Sequence, residues 1–159
     1  MKIIPGFDFY HTHHCVTGSM LHAFRFHGCD ISEEMLLGLG NGVGFIYWHP
    51  KGDISFLGGR ANTARQDPQD CLEVLAAERC GVGAIRQITT SSRKAEHALF
   101  EHLNADQPLV IQVDMGLLPY FPFFEQYHFG YHVVTAAGYD PNINEVTLAD
   151  RDAQPYAVQ

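Results

Sequence analysis

The chain contains no uninterrupted apolar run near the roughly 18 residues that a membrane-spanning helix needs. Basic residues are also few: ten Lys and Arg stand against eighteen Asp and Glu, for a formal charge of -8 at pH 7. That balance argues against nucleic acid or an anionic membrane surface as the main partner. There is no C-x-x-C pair. The four cysteines, Cys15, Cys29, Cys71 and Cys80, are scattered, which favours reduced thiols in a cytoplasm over a disulfide scaffold. The first residues, Met1-Lys-Ile-Ile-Pro-Gly-Phe-Asp8, are too short and too acidic a stretch for a signal peptide. Internal repeats and low-complexity tracts are absent as well.

What remains is the composition of a soluble globular protein. The 159 residues are 46% hydrophobic and 18% charged, enough for one domain spanning 1–159 with a real core. Val16, Met20, Ala23, Phe24 and His27 recur on one face of a 3.6-residue period, predicting a helix from about Cys15. Gly28-Cys-Asp30 stops it, and Asp30 or Ser32 can cap a short second helix through Gly38. Ser32-Glu-Glu-Met35 is not a full capping box. The glycine run Gly38 to Gly44 lies between a helix and a strand, the reverse of a phosphate loop. It reads as a tight crossing or a close approach of backbone to a ligand.

Strand-like stretches follow at Val43–Trp48 and Asp53–Gly58, then a loop over Gly59–Gln66. Asp67-Pro68 signals the start of a helix that carries Leu72, Leu75 and Ala76 on one face. Ala84–Thr89 reads as a strand. Ser91 or Ser92 caps a helix with Ala95, Ala98, Leu99 and Leu103 inward. Pro108–Val113 is a strand whose nearly continuous apolar run suggests burial on both faces. Met115–Phe129, aromatic and proline-bearing, has no regular period; it reads as a loop stapled to the core or as a wall of a substrate channel. Tyr131–Ala137 and Glu145–Ala149 are strands around a turn rich in Gly, Asp, Pro and Asn. With helices early and strands late, the fold class is α+β.

Cys15 stands where a polar loop, His11-Thr-His-His14, gives way to the first helix. Helix-start N–H groups and the dipole stabilise a thiolate there. A cysteine nucleophile needs a base, and the base needs an orienting group. His132 begins one late strand and Asp150 ends the next. If these pair as an antiparallel hairpin, its open end brings imidazole and carboxylate together. A helix packed on the hairpin then completes Cys15, His132 and Asp150, in the chain order of papain-like proteins. Asp152 is the rival carboxylate, and Asp140 lies at the wrong end. Cys29, Cys71 and Cys80 read as packing residues.

His14-Cys15, Ile31–Gly38, Gly42–Tyr47, Gly58-Gly-Arg60, Leu118-Pro-Tyr120, His132-Val-Val and Gly138-Tyr-Asp140 through Ala149-Asp150 resemble the N-terminal domain of butirosin biosynthesis protein H. The last of these pieces are also similar to the cysteine peptidases of bacteriocin exporters. The resemblance implies a papain-like fold, with the helix carrying Cys15 packed on a C-terminal antiparallel sheet. It implies acyl transfer in antibiotic biosynthesis, from an acyl carrier protein or other thioester donor to a small amine acceptor. Phosphopantetheine would sit on the carrier, so no cofactor and no metal are expected on this chain. Members of the family tend to be longer, so the chain reads equally as the N-terminal part of a larger protein. Cys15 would carry the acyl group, His132 would move protons and Asp150 would hold its tautomer.

One departure matters. Where papain-like peptidases place an oxyanion glutamine, this chain has Phe9. The Cys15 backbone N–H with His13 or His14 is the replacement expected, and Tyr120 and Tyr131 are further candidates for substrate binding. Two other readings stand beside this one. His11, His13, His14, Cys15 and His22 are zinc ligands by type. The same catalytic set could serve a peptidase, amidase or thioesterase, or be retained as a binding module.

Overall fold

A computed structural model describes residues 1–52, 55–58 and 71–159. The elements run α1 (Cys15–Phe26), α2 (Glu33–Leu39), β1 (Ile46–Trp48), β2 (Phe56–Gly58), α3 (Leu72–Arg79), α4 (Ser92–Asn104), β3 (Leu109–Val113), a 3₁₀ turn (Met115–Leu117), β4 (His132–Asp140), β5 (Glu145–Ala149) and β6 (Pro155–Val158). The class is α+β, with Cys15 opening the first helix and an antiparallel sheet at the C-terminal end. No helix among the described residues is long and apolar enough to cross a membrane.

The described residues fall into two compact units, 1–33 with 87–159, and 34–86. In the first, the sheet order is β3-β4-β5-β6, every pair antiparallel. Val134, Ala136, Leu148 and Ala149 from β4 and β5 join Ile4, Phe7, Leu103, Leu118 and Phe121 in one core cluster. The alanines are fully buried. α1 is docked on β4 by two reciprocal hydrogen bonds. The Ser19 hydroxyl donates to the Val133 carbonyl at 3.0 Å, and the Thr135 hydroxyl donates to the Ser19 carbonyl at 2.9 Å. Both hydroxyls are buried, so losing either partner would strand a polar group out of water.

In the second unit β1 and β2 form an antiparallel hairpin, with Tyr47 opposite Leu57. Leu36 and Leu72 are fully buried. A Cβ on Gly42 would collide with Leu37 and Leu72, so the glycine run serves close packing within the protein. The one left-handed residue of that run is Asn41, φ 52°. Arg79 ties the segment down by donating to the Leu39 carbonyl at 2.6 Å and to Asn41 Oδ1 at 2.7 Å.

Several expectations need correction. No strand forms over 84–89, and Ile85 and Ile88 are exposed; β-branched residues make a strand only where a neighbour offers a ladder. β3 is an edge strand with alternating burial, its Val110 exposed, and is not covered on both faces. β6 was not anticipated, because Pro155-Tyr-Ala-Val158 is too short to show a period. The N-cap of α3 is Cys71, while Asp67-Pro68, the 59–66 loop with Arg60, and Asp53-Ile54 lie outside the described residues. The stretch 115–129 is a stapled loop at its neck: Asp114 accepts from the Gly116 and Phe129 amides at 2.8 and 2.9 Å and pairs with His128.

Candidate active site

The site begins with the register of β4 and β5. From the turn, Asp140, Tyr139 and Gly138 pair with Glu145, Val146 and Thr147. If that register continued, Ala136 would meet Ala149, and His132 would point to the face opposite Asp150. It does not continue. The ladder shifts between Ala136 and Gly138, so Ala136 meets Leu148 and Thr135 meets Ala149. One extra residue, Ala137, is inserted in β4, and a one-residue slip moves a side chain from one face to the other. His132 and Asp150 therefore share a face, diagonal neighbours beyond the end of the ladder. The carbonyl left over by the bulge is satisfied by the N-terminal segment, with the Ile4 amide donating to Ala137 at 2.8 Å. Gly138 is required there, since a Cβ would run into the Lys2 carbonyl.

At that end of the hairpin His132 Nε2 lies 2.8 Å from Asp150 Oδ2, both residues 5% exposed. His132 is also hydrogen-bonded to the side chain of Cys15. With Nε2 taken by the carboxylate, Nδ1 is the ring atom left for the sulfur. Burial pulls the imidazole pKa down. The hydrogen bonds the ring makes to Asp150 and to Cys15, and the charges of both, more than reverse it, lifting the value from 6.5 to about 9. Phe121 stands edge-on to the His132 ring, centroids 5.4 Å apart, and the Arg151 guanidinium lies over the Phe121 ring, 5.6 Å from its centroid.

Cys15 is the first residue of α1, with His14 as N-cap. Thr12 ties the preceding loop to the strand end: its amide donates to the Arg151 carbonyl at 2.7 Å and its hydroxyl to the Asp150 carbonyl at 3.4 Å. Its side chain fills the space where Gly18 has no Cβ. The Ser19 and Thr135 bonds hold the next turn of the helix on β4. Thus the loop is held on the strand end and the helix on β4, and Cys15 lies in sequence between these two anchors.

A family model described as butirosin biosynthesis protein H, N-terminal, matches residues 14–151, from the N-cap of α1 to the residue after Asp150. The chain belongs to that family. No curated protein matches the chain, and no solved structure does.

The other candidates are placed less as expected. Tyr120 donates its hydroxyl to Asp150 Oδ2 at 3.0 Å, the same oxygen that His132 uses, and stacks on Tyr156 with centroids 4.0 Å apart. Burial and the Asp150 charge push its pKa up, so it stays a donor. Tyr120, in Leu118-Pro-Tyr120, thus buttresses the carboxylate. Asp152, the rival, is bonded by Tyr156. Tyr131 is exposed and lies edge-on to Phe129. The rings of His13 and His14 turn to Glu33 and Thr17. Phe9 packs against Phe7.

His22 is buried with both nitrogens in use: Nδ1 bonds the Gly18 carbonyl at 2.8 Å, and Nε2 accepts from the Tyr10 amide at 3.1 Å. Burial lowers its pKa, so it is a neutral structural residue. Among the described residues no group of three or more His, Cys, Asp or Glu is arranged to hold a metal ion. Sequence reading missed Thr12, Ser19, Thr135 and Glu33. None carries a periodic or spacing signal, because each acts across a long sequence separation.

Proposed function

We propose that this protein is a papain-like cysteine acyltransferase of secondary-metabolite biosynthesis, acting in the cytoplasm. The observation that carries the reading is His132, fixed between Asp150 at 2.8 Å and the Cys15 side chain. In the first step the Cys15 sulfur attacks the carbonyl of a donor thioester, its proton having passed to His132. Collapse of the tetrahedral adduct breaks the donor C–S bond, and His132 returns the proton to the departing thiol. In the second step an amine attacks the Cys15 thioester and loses a proton to His132. The C–S bond to Cys15 breaks, leaving an amide and regenerating the enzyme. Asp150 holds the ring by Nε2, which directs Nδ1 to sulfur, and stabilises the imidazolium.

The Cys15 backbone N–H, at the positive end of α1, is the oxyanion donor in this scheme. In this reading the donor is a phosphopantetheinyl thioester on a carrier protein, and the charge of -8 suits a cationic amine acceptor. With water in place of the amine, the same residues would make a hydrolase.

The test incubates wild type and Cys15→Ala with a short acyl thioester of N-acetylcysteamine, reading intact mass, then adds a polyamine. Wild type gains one acyl group, which the amine removes as an amide; Cys15→Ala gains none. Equal labelling of both proteins overturns the reading, and release of free acid alone at saturating amine favours the hydrolase.

A further inference from the structure

Resting on that reading, we propose that Glu33 is a positioning residue for the nucleophile, fixing the loop that delivers Cys15 to the start of α1. Its carboxylate gathers the residues just before and after Cys15. Oε2 accepts from the His13 amide at 2.9 Å and lies 3.3 Å from His13 Nδ1. Oε1 accepts from the His14 amide at 3.1 Å and from the Thr17 hydroxyl at 3.1 Å. Two consecutive amides aimed at one carboxylate form a small anion nest, placed at the positive end of the helix. The anion here is built into the protein.

A carboxylate beside a nucleophile also suggests a seat for the cationic amine. The geometry argues otherwise: the Glu33 side chain is only 11% exposed and each oxygen already takes two contacts. Burial pushes its pKa up, but the bonds from His14, His13 and Thr17 prevail and bring it below the ordinary carboxylate value. The titratable groups around it are His13, His14 and His22, the last feeling its charge within the same unit.

Thr12 anchors the loop on its Asp150 side and Ser19 anchors the following turn. Glu33 supplies the remaining hold, on residues 13, 14 and 17. Without it, the His14–Cys15 segment can shift relative to His132 while the helix stays docked. The cost falls on the Cys15–His132 pairing and not on the fold.

The experiment measures Cys15 alkylation by iodoacetamide at pH 7 for Glu33→Gln in the wild-type and His132→Ala backgrounds, with thermal melts of all four proteins. A residue that acts through the pairing has an effect that disappears when the pair is already broken. Glu33→Gln is expected to slow alkylation about ten-fold in wild type and to change it little in His132→Ala. An unchanged rate in the wild-type background, or the same fold-loss in both, overturns the proposal. Should Glu33→Gln not fold, Thr17→Val removes one donor from Oε1 without touching the charge; the same non-additive pattern supports the proposal and its absence overturns it. If wild type reacts like a free thiol and His132→Ala does not alter it, the acyltransferase reading itself has failed.

Discussion

Replacing Asp150 by Asn keeps the shape of the side chain and one acceptor oxygen but removes the charge that faces His132 Nε2. In the wild-type protein His132 is lifted from 6.5 to about 9 against the opposing pull of burial. At about 1.4 kcal/mol per pH unit, that rise is worth roughly 3 kcal/mol of preference for the charged imidazole in the folded state. A His with a raised folded pKa stabilises the protein fully below its unfolded value. The contribution is then lost as pH climbs through the folded value. The window here runs from about 6.5 to about 9. Wild type should therefore lose stability across that window more steeply than Asp150→Asn. The gap between the two should narrow by up to about 3 kcal/mol between pH 6 and pH 9.5. Two assays read this: urea denaturation at intervals of pH, and imidazole NMR of His132, whose titration should fall from about 9 to near or below 6.5. A stability gap constant across the window, or an unmoved His132 titration in Asp150→Asn, would refute the assignment of the raised pKa to this carboxylate.

Two further outcomes follow from the anchors around the site. Ser19→Ala removes the hydroxyl that donates to the Val133 carbonyl, so urea denaturation should show a loss of about 1–2 kcal/mol, and an unchanged midpoint would remove Ser19 from the docking of α1. Gly138→Ala sets a methyl group against the Lys2 carbonyl at the β4 bulge. The melt should show about 1–3 kcal/mol of overpacking, and the His132 titration should shift as the strand end moves; a variant as stable as wild type, with His132 unmoved, would mean the bulge does not depend on that close approach.

Much of the architecture was legible locally. The 3.6-residue pattern from Val16 to Phe24 marked α1 and put Cys15 at its first residue, because helix entry is governed by neighbours three and four apart. The turn 138–144, flanked by β-branched runs, marked the β4–β5 hairpin and brought the strand ends of His132 and Asp150 together in sequence logic. Where partners were not local, composition misled: 84–89 carries the β-branched residues of a strand but finds no ladder, and β3 is apolar enough for a central strand yet sits at an edge.

What the sequence by itself determined is thus the inventory and its order: a thiol at a helix start, an imidazole on one strand and a carboxylate ending the next. Tertiary structure decided whether they could meet. An unbulged hairpin would have turned His132 away from Asp150, and the extra residue at Ala137 that corrects the face is stabilised by a segment more than a hundred positions earlier, at Lys2–Ile4. Likewise the sequence does not show that the Tyr120 hydroxyl donates to Asp150, and Glu33 carries no signal because its four contacts lie across a helix and a loop. The physical reason is common to both. Periodicity reports which face of an element is apolar, whereas the strand register, the bulge and the pairing of buried polar groups are set only when distant segments compete for the same hydrogen bonds.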